Sequence, residues 1–105
     1  MQIVETAIFT KQIRTELDEE SYRRLQLELV RDPEVGAVIR GTGGIRKIRW
    51  ARQGRGKSGG TRVIYYWHRP GETILMLLAY AKSRQDELTS GQRRTLRQVV
   101  EEELK

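Results

Sequence analysis

Tyr22, Leu25 and Leu29 recur at helical spacing, with Arg23, Arg24 and Glu28 between them on the polar side, so the chain after Asp18 reads as an amphipathic helix. Asp18 supplies its N-cap, and the helix stops before Pro33, which restricts Asp32 to an extended conformation. Ahead of it, a β-prone start over Gln2–Glu5 leads through Phe9 into a shorter helix. There Thr10 is the expected cap, and Ile13 and Leu17 share one face.

From Gly36 the period changes. Val38 to Arg40 reads as a short extended piece, and Gly41, Gly43 and Gly44 turn the chain into an alternating strand over 45–50. Residues 52–60 hold four glycines and are expected to form a flexible loop. Thr61–His68 and Thr73–Ala81 are rich in β-branched and aromatic residues, and Arg69-Pro70-Gly71-Glu72 between them is a turn sequence, which predicts an antiparallel hairpin. The second strand is apolar on both faces, Ile74, Met76 and Leu78 against Leu75, Leu77 and Ala79, as a central strand covered on each side would be. Thr89 and Gln92 form a capping-box pair, and Leu96, Val99, Val100 and Leu104 make one stripe on a terminal helix. The expected order is β-α-α-β-β-β-α. It describes an α+β fold with an antiparallel or mixed sheet of about four strands, two N-terminal helices and one C-terminal helix, in a single domain over residues 1–105.

Charge changes the picture from fold to partner. Twenty Lys plus Arg against fourteen Asp plus Glu leave a net +6, and the excess is sorted into one segment. Residues 35–71 carry nine Lys or Arg and no Asp or Glu. Counterion release rewards such a run when it meets a phosphate polymer, and RNA is the expected partner. With no cysteine in the chain, disulfides, thiolate nucleophiles and Cys-based zinc sites are excluded. Mg²⁺ prefers carboxylate oxygens, which the basic segment lacks, so neither metal nor cofactor is expected there. The N-terminal residues lack the pattern of a signal peptide, and no stretch approaches the roughly 20 apolar residues of a membrane helix. The expectation is a soluble, cytoplasmic protein with no membrane association.

Within the basic segment, Arg62 opens a predicted strand beside the glycine loop. Its guanidinium fork can hold two phosphate oxygens at once, on the face shared with Ile64, Tyr66 and His68. Lys57 and Lys82 are candidate proton-transfer groups, because crowding by other cations disfavours an ammonium. Arg46 points away from Lys47 and Arg49 by alternation, so these three cannot all meet one phosphate. Arg46, Arg49, Arg52 and Arg55 are candidate RNA-backbone contacts, and Arg49 is favoured among the strand cations. Tyr66, rather than its neighbour Tyr65, is the candidate base-stacking ring. His68, the one histidine, reads as ordinary surface at a strand end, and GRGKSGG lacks P-loop spacing.

Three segments, PEVGAVIRGTGGIRKIRW, GRGKSGGTRVIYYW and LLAYAKSRQDELT, together resemble the RelE/ParE superfamily of bacterial toxins, in particular the RelE and HigB-type branch of type II toxin-antitoxin systems. The resemblance spans essentially the whole chain. It implies a small α/β fold with a concave basic cleft that accepts messenger RNA in the ribosomal decoding site, and a cognate antitoxin that neutralises the toxin by binding it. It also implies that Arg62 is the family's strand arginine, stabilising charge in RNA cleavage while Lys57 and Lys82 move protons. Some RelE-type toxins place a tyrosine in the C-terminal segment of the site, and residues 81–105 here contain none. The expected function is therefore a ribosome-dependent, metal-independent messenger-RNA endoribonuclease that inhibits translation and does not act on DNA by itself. A ParE-like gyrase inhibitor and a non-catalytic RNA-binding module are the alternatives.

Overall fold

The computed structural model describes residues 1–51 and 60–104. The described residues form β1 (Gln2–Glu5), α1 (Ala7–Glu16), α2 (Glu19–Arg31), β2 (Ala37–Val38), β3 (Arg46–Trp50), β4 (Thr61–His68), β5 (Thr73–Ala81) and α3 (Ser90–Glu103). The expected order holds with one addition. The extended piece after Gly36 is a two-residue strand, β2, paired antiparallel with β3, so the sheet has five strands rather than about four.

Helix starts follow local hydrogen-bonding chemistry. The Asp18 carboxylate accepts from the Ser21 N–H at 2.7 Å and opens α2. The full capping box at α3 is present, with Thr89 Oγ1 accepting from Gln92 N–H and Gln92 Oε1 accepting from Thr89 N–H. At α1 the cap is Thr6, not Thr10. The Thr6 hydroxyl oxygen accepts from Phe9 N–H at 3.1 Å, which sets the helix four residues earlier. Thr10 instead lies inside α1, where its hydroxyl stands 2.6 Å from the Glu5 carboxylate and 3.2 Å from the Thr6 carbonyl, the second being the back-bond to the preceding turn that mid-helix threonines commonly make. The loop before β3 places Gly41, Gly43 and Gly44 at φ of 78°, 75° and 110°, a left-handed region that a Cβ makes costly.

The strand order is β1-β5-β4-β3-β2, with β1 parallel to β5 and the other pairs antiparallel. β4 and β5 are thus interior, as the two-sided apolar pattern of β5 predicts. Its faces differ from simple alternation because a bulge lies between Ile64 and Tyr65. Beyond it, Leu78 joins Leu75 and Leu77 on one face, while Ala79 joins Ile74 and Met76 on the other. One extra residue in a strand reverses the facing of everything after it.

Each face of the sheet has its own core. Phe9, Ile13 and Leu17 of the α1 segment and Leu25 and Leu29 of α2 pack with Ile48, Val63, Tyr65, Ile74 and Met76. On the other face Leu96 of α3, with Leu88, packs on Ile45, Ile64, Leu75 and Leu77, and Val99 and Val100 are half-buried beside them.

Tyr65 ties the first core to the loop before β2. Its fully buried phenol accepts from Gly36 N–H at 2.9 Å and donates to the Pro33 carbonyl at 2.8 Å. A Cβ on Gly36 would sit 2.8 Å from both the Tyr65 ring and its oxygen and 3.0 Å from the Lys47 carbonyl. Gly36→Ala is therefore expected to cost about 1–3 kcal/mol by overpacking, read as a lower denaturation midpoint at unchanged m-value.

Burial raises the phenol pKa of Tyr22, Tyr65 and Tyr80, and for Tyr22 the hydrogen bond to Glu5 adds to the rise. A raised folded-state value means the native protein holds these protons longer than the unfolded chain. The associated stability is intact below the ordinary phenol value of 10.0 and is lost as pH rises above it. Denaturation measured from pH 9 to 11 should show stability falling only in the upper half of that range. Each such tyrosine contributes a slope of at most about 1.4 kcal/mol per pH unit, and Tyr22→Phe should make the fall shallower.

Candidate functional site

The cation that the sequence places at a strand start beside the glycine loop is interior. Arg62 is 1% exposed and stands among the largest fully buried side chains of the protein. The reason is its strand: β4 lies between β3 and β5, and the Arg62 face is the one that carries the α3-side core. A guanidinium has five N–H donors and resists neutralisation, so interior placement demands partners. Among the described residues it has one, Asp86 in the segment between β5 and α3, at 3.6 Å from Nη2. Arg62 Nε and Nη1 are buried and find no hydrogen-bond acceptor among the described residues.

Beside Arg62 stand two further polar groups. Tyr80 is its Cα partner on β5, and the phenol oxygen is likewise buried without a hydrogen-bond partner among the described residues. Arg62 lowers the Tyr80 pKa, but burial, Asp86 and Glu87 together hold it above the ordinary value, so the phenol remains a proton-bearing donor. On the other side Arg49 is the Cα partner of Arg62 on β3, which sets two guanidinium-bearing residues directly across from each other. Like charges so placed destabilise a sheet unless an anion lies between or near them.

Arg49 leads into an open groove of about 810 Å³ along β2 and β3, reaching the segment before α3. Among the described residues its cations are Arg40, Lys47, Arg49 and Arg93, and its one acid is Glu87. Val38, 55% exposed on edge strand β2, and Leu88 give it an apolar floor at intervals. Arg62 itself does not line the groove; it lies one strand inward, directly across from the groove residue Arg49. A row of cations beside a buried guanidinium is suited to a chain of phosphates.

The remaining sequence candidates fall in different places. Lys82 follows β5 directly, is half-buried, and donates its backbone N–H to the Gly60 carbonyl at 3.1 Å, which puts it at the same sheet end as Arg62. Arg46 faces the opposite side of the sheet, where Nη1 donates to the Glu34 and Gly36 carbonyls at 3.0 and 2.7 Å and Nη2 pairs with Glu34 at 3.3 Å. Its guanidinium is committed to holding the β2 approach, so it does not join the groove. Tyr66 is half-buried and packs under α3 with the second core. Lys57, Arg52 and Arg55, and the glycine loop that carries them, lie outside the described residues. Sequence reading passed over Tyr80, Asp86, Arg40 and Arg93. Tyr80 stands one residue ahead of the tyrosine-free stretch 81–105, and only the strand register reveals that it neighbours Arg62. Among the described residues no three His, Asp or Glu side chains gather as a metal-ligand set.

A small α+β protein with helices on both faces of a five-stranded mixed sheet, and a basic groove one strand away from an interior arginine, has counterparts among bacterial toxins. The family profile described as RelE toxin of the RelE / RelB toxin-antitoxin system matches residues 1–105, and the chain belongs to that family. Among solved structures it is similar to a double arginine-to-alanine mutant of the E. coli toxin RelE in the free state. That match has 17% sequence identity and a TM-score of 0.59, covering 81% of this chain and 86% of the other. It is also similar to a chain of the intact E. coli RelBE toxin-antitoxin complex, at 18% identity and a TM-score of 0.56, covering 74% of this chain and 92% of that one. Identities this low carry the fold and not the residue roles.

Proposed function

We propose that this toxin is a ribosome-dependent endoribonuclease that cleaves messenger RNA and thereby halts translation. The observation that carries the reading is Arg62: a buried guanidinium with two nitrogens unpartnered among the described residues, directly across from Arg49 of a groove lined by Arg40, Lys47, Arg49 and Arg93. In-line attack by a ribose 2′-hydroxyl on the adjacent phosphorus expels the 5′-oxygen and leaves a 2′,3′-cyclic phosphate. The crowded phosphorane carries extra negative charge, and a preorganised, desolvated guanidinium stabilises it more than water does. Lys82, at the same sheet end, is the described candidate for proton transfer, and Lys57 remains a candidate on sequence grounds. Arg40, Lys47, Arg49 and Arg93 hold the flanking backbone, the ribosome positions the messenger strand, and a cognate antitoxin covers the basic surface when the toxin is silenced. The membership of the family supports the antitoxin partner.

Inducing the chain in cells and mapping messenger-RNA 5′ ends tests this reading. New ends confined to translated regions, with translation falling before any DNA damage response, are expected. A growth arrest accompanied by DNA breaks and intact messenger RNA would replace it with gyrase poisoning on the same fold.

A further inference from the structure

Arg62 is buried to the extent usual for a core leucine, yet its single ionic partner among the described residues is poor. Asp86 approaches to only 3.6 Å, beyond a good charge-assisted hydrogen bond, and its side chain is 59% exposed. A partner held so loosely and left so wet can leave at small cost, since exposed ion pairs contribute little. The buried guanidinium cannot be left alone, because an uncompensated interior charge is strongly destabilising. The opposed Arg49 makes the local need for an anion greater. Tyr80 adds a second group with the same need, a buried hydroxyl with no acceptor among the described residues. Two adjacent orphaned donors and one weakly attached carboxylate are the parts of a site whose better ligand is absent.

We infer that Asp86 is a resident counter-ion which an incoming phosphate displaces from Arg62, and that the Tyr80 hydroxyl is the second ligand of that phosphate. The inference deepens the phosphate-binding role of Arg62 and rests on it. A phosphate oxyanion offers oxygens to the Arg62 nitrogens that Asp86 does not reach, with the geometry a guanidinium fork favours. The phenol, held in its proton-bearing form, donates to a third acceptor oxygen. In the empty state Asp86 keeps the buried charge compensated, so the fold is maintained without substrate. The same carboxylate competes with every phosphate that enters, which makes the site selective for ligands also held along the groove. Asp86 and Tyr80 are thus positioning residues that set how strongly phosphate reaches Arg62.

The test is titration of the purified full-length chain and of Asp86→Asn and Tyr80→Phe variants with inorganic phosphate. Binding is read from the Arg62 side-chain N–H resonances and by calorimetry. A 2′-O-methyl oligoribonucleotide, which resists cleavage, separates free phosphate from nucleic-acid phosphate as the ligand source. Removing the competing carboxylate should tighten phosphate binding by about fivefold, corresponding to about 1 kcal/mol for a partly exposed ion pair. Tyr80→Phe should weaken it by a similar factor, since it removes one hydrogen bond to a charged acceptor. The oligoribonucleotide should follow the same order. A residue that merely held the fold would give loss and not gain, so Asp86→Asn binding phosphate no more tightly than the parent overturns the inference. Asp86→Ala provides the same readout without the residual amide. Failure of inorganic phosphate to perturb Arg62 in any variant also overturns it. Phosphate binding with the expected order of variants, but with messenger RNA left intact on ribosomes, would sink the nuclease reading and sustain this one.

Discussion

Arg62→Met is expected to make the protein more stable and non-toxic at once. The parent buries a guanidinium whose Nε and Nη1 have no partner among the described residues and whose carboxylate partner stands at 3.6 Å. Replacing a poorly compensated interior ion with an unbranched apolar chain of similar length removes the desolvation cost and keeps the volume filled. Stability should rise by about 1–3 kcal/mol, seen as a higher denaturation midpoint. Cleavage should fall by about 10²–10³-fold or more, the usual loss when a preorganised charge-stabilising donor is removed. Arg62→Ala should lose activity to the same extent without the gain in stability, because it leaves a cavity where a large side chain had been. An Arg62→Met protein that is less stable than the parent would show that the arginine is well compensated in solution. One that still cleaves messenger RNA would remove it from the chemistry.

The Lys47→Glu, Arg49→Glu double variant should fold normally and lose ribosome-dependent cleavage through binding. Both residues line the groove, Arg49 is exposed, and their face of β3 carries the groove rather than the first core. Each cation that neutralises a phosphate releases counterions, so two lost single-strand contacts should reduce the log–log salt slope of RNA affinity by about 1.4. Repulsion by the new carboxylates adds to that loss, and affinity near physiological salt should fall by at least about 100-fold. Arg46→Ala provides the contrast. Its guanidinium holds Glu34 and Gly36 on the other side of the sheet, so it should lower stability and leave the salt slope unchanged. Filter binding or fluorescence anisotropy across a salt series checks all three, and a groove variant with the parent's slope would move the RNA path elsewhere.

Much of the architecture was legible because it is written in short-range chemistry. Asp18 and the Thr89/Gln92 pair cap helices through backbone groups three residues away, and the β4–β5 hairpin follows from two β-prone runs around a four-residue turn. Two threonines four residues apart defeated the same reasoning at α1, since either Thr6 or Thr10 satisfies the capping rule locally. Thr10 was claimed by Glu5, with Thr6 left to cap. The two-residue strand β2 has no periodicity of its own and exists by pairing with β3.

The site divides along the same line. Composition and order along the chain made an acid-free basic segment the candidate surface for a phosphate polymer, and Arg62, on the face of Ile64 and Tyr66, its candidate centre. Periodicity also separated Arg46 from Lys47 and Arg49, since a strand alternates its side chains whatever the surrounding fold. Burial and neighbours belonged to the tertiary structure. Only the flanking of β4 by β3 and β5, under the α3-side core, turns a strand-start arginine into an interior charge. Only the strand register with its bulge sets Tyr80 beside Arg62, and only the path of the chain after β5 returns Asp86 to that arginine, 24 residues along the sequence. Local rules act over three or four residues, whereas the energy of a buried charge depends on which distant groups the fold brings within a few ångströms of it.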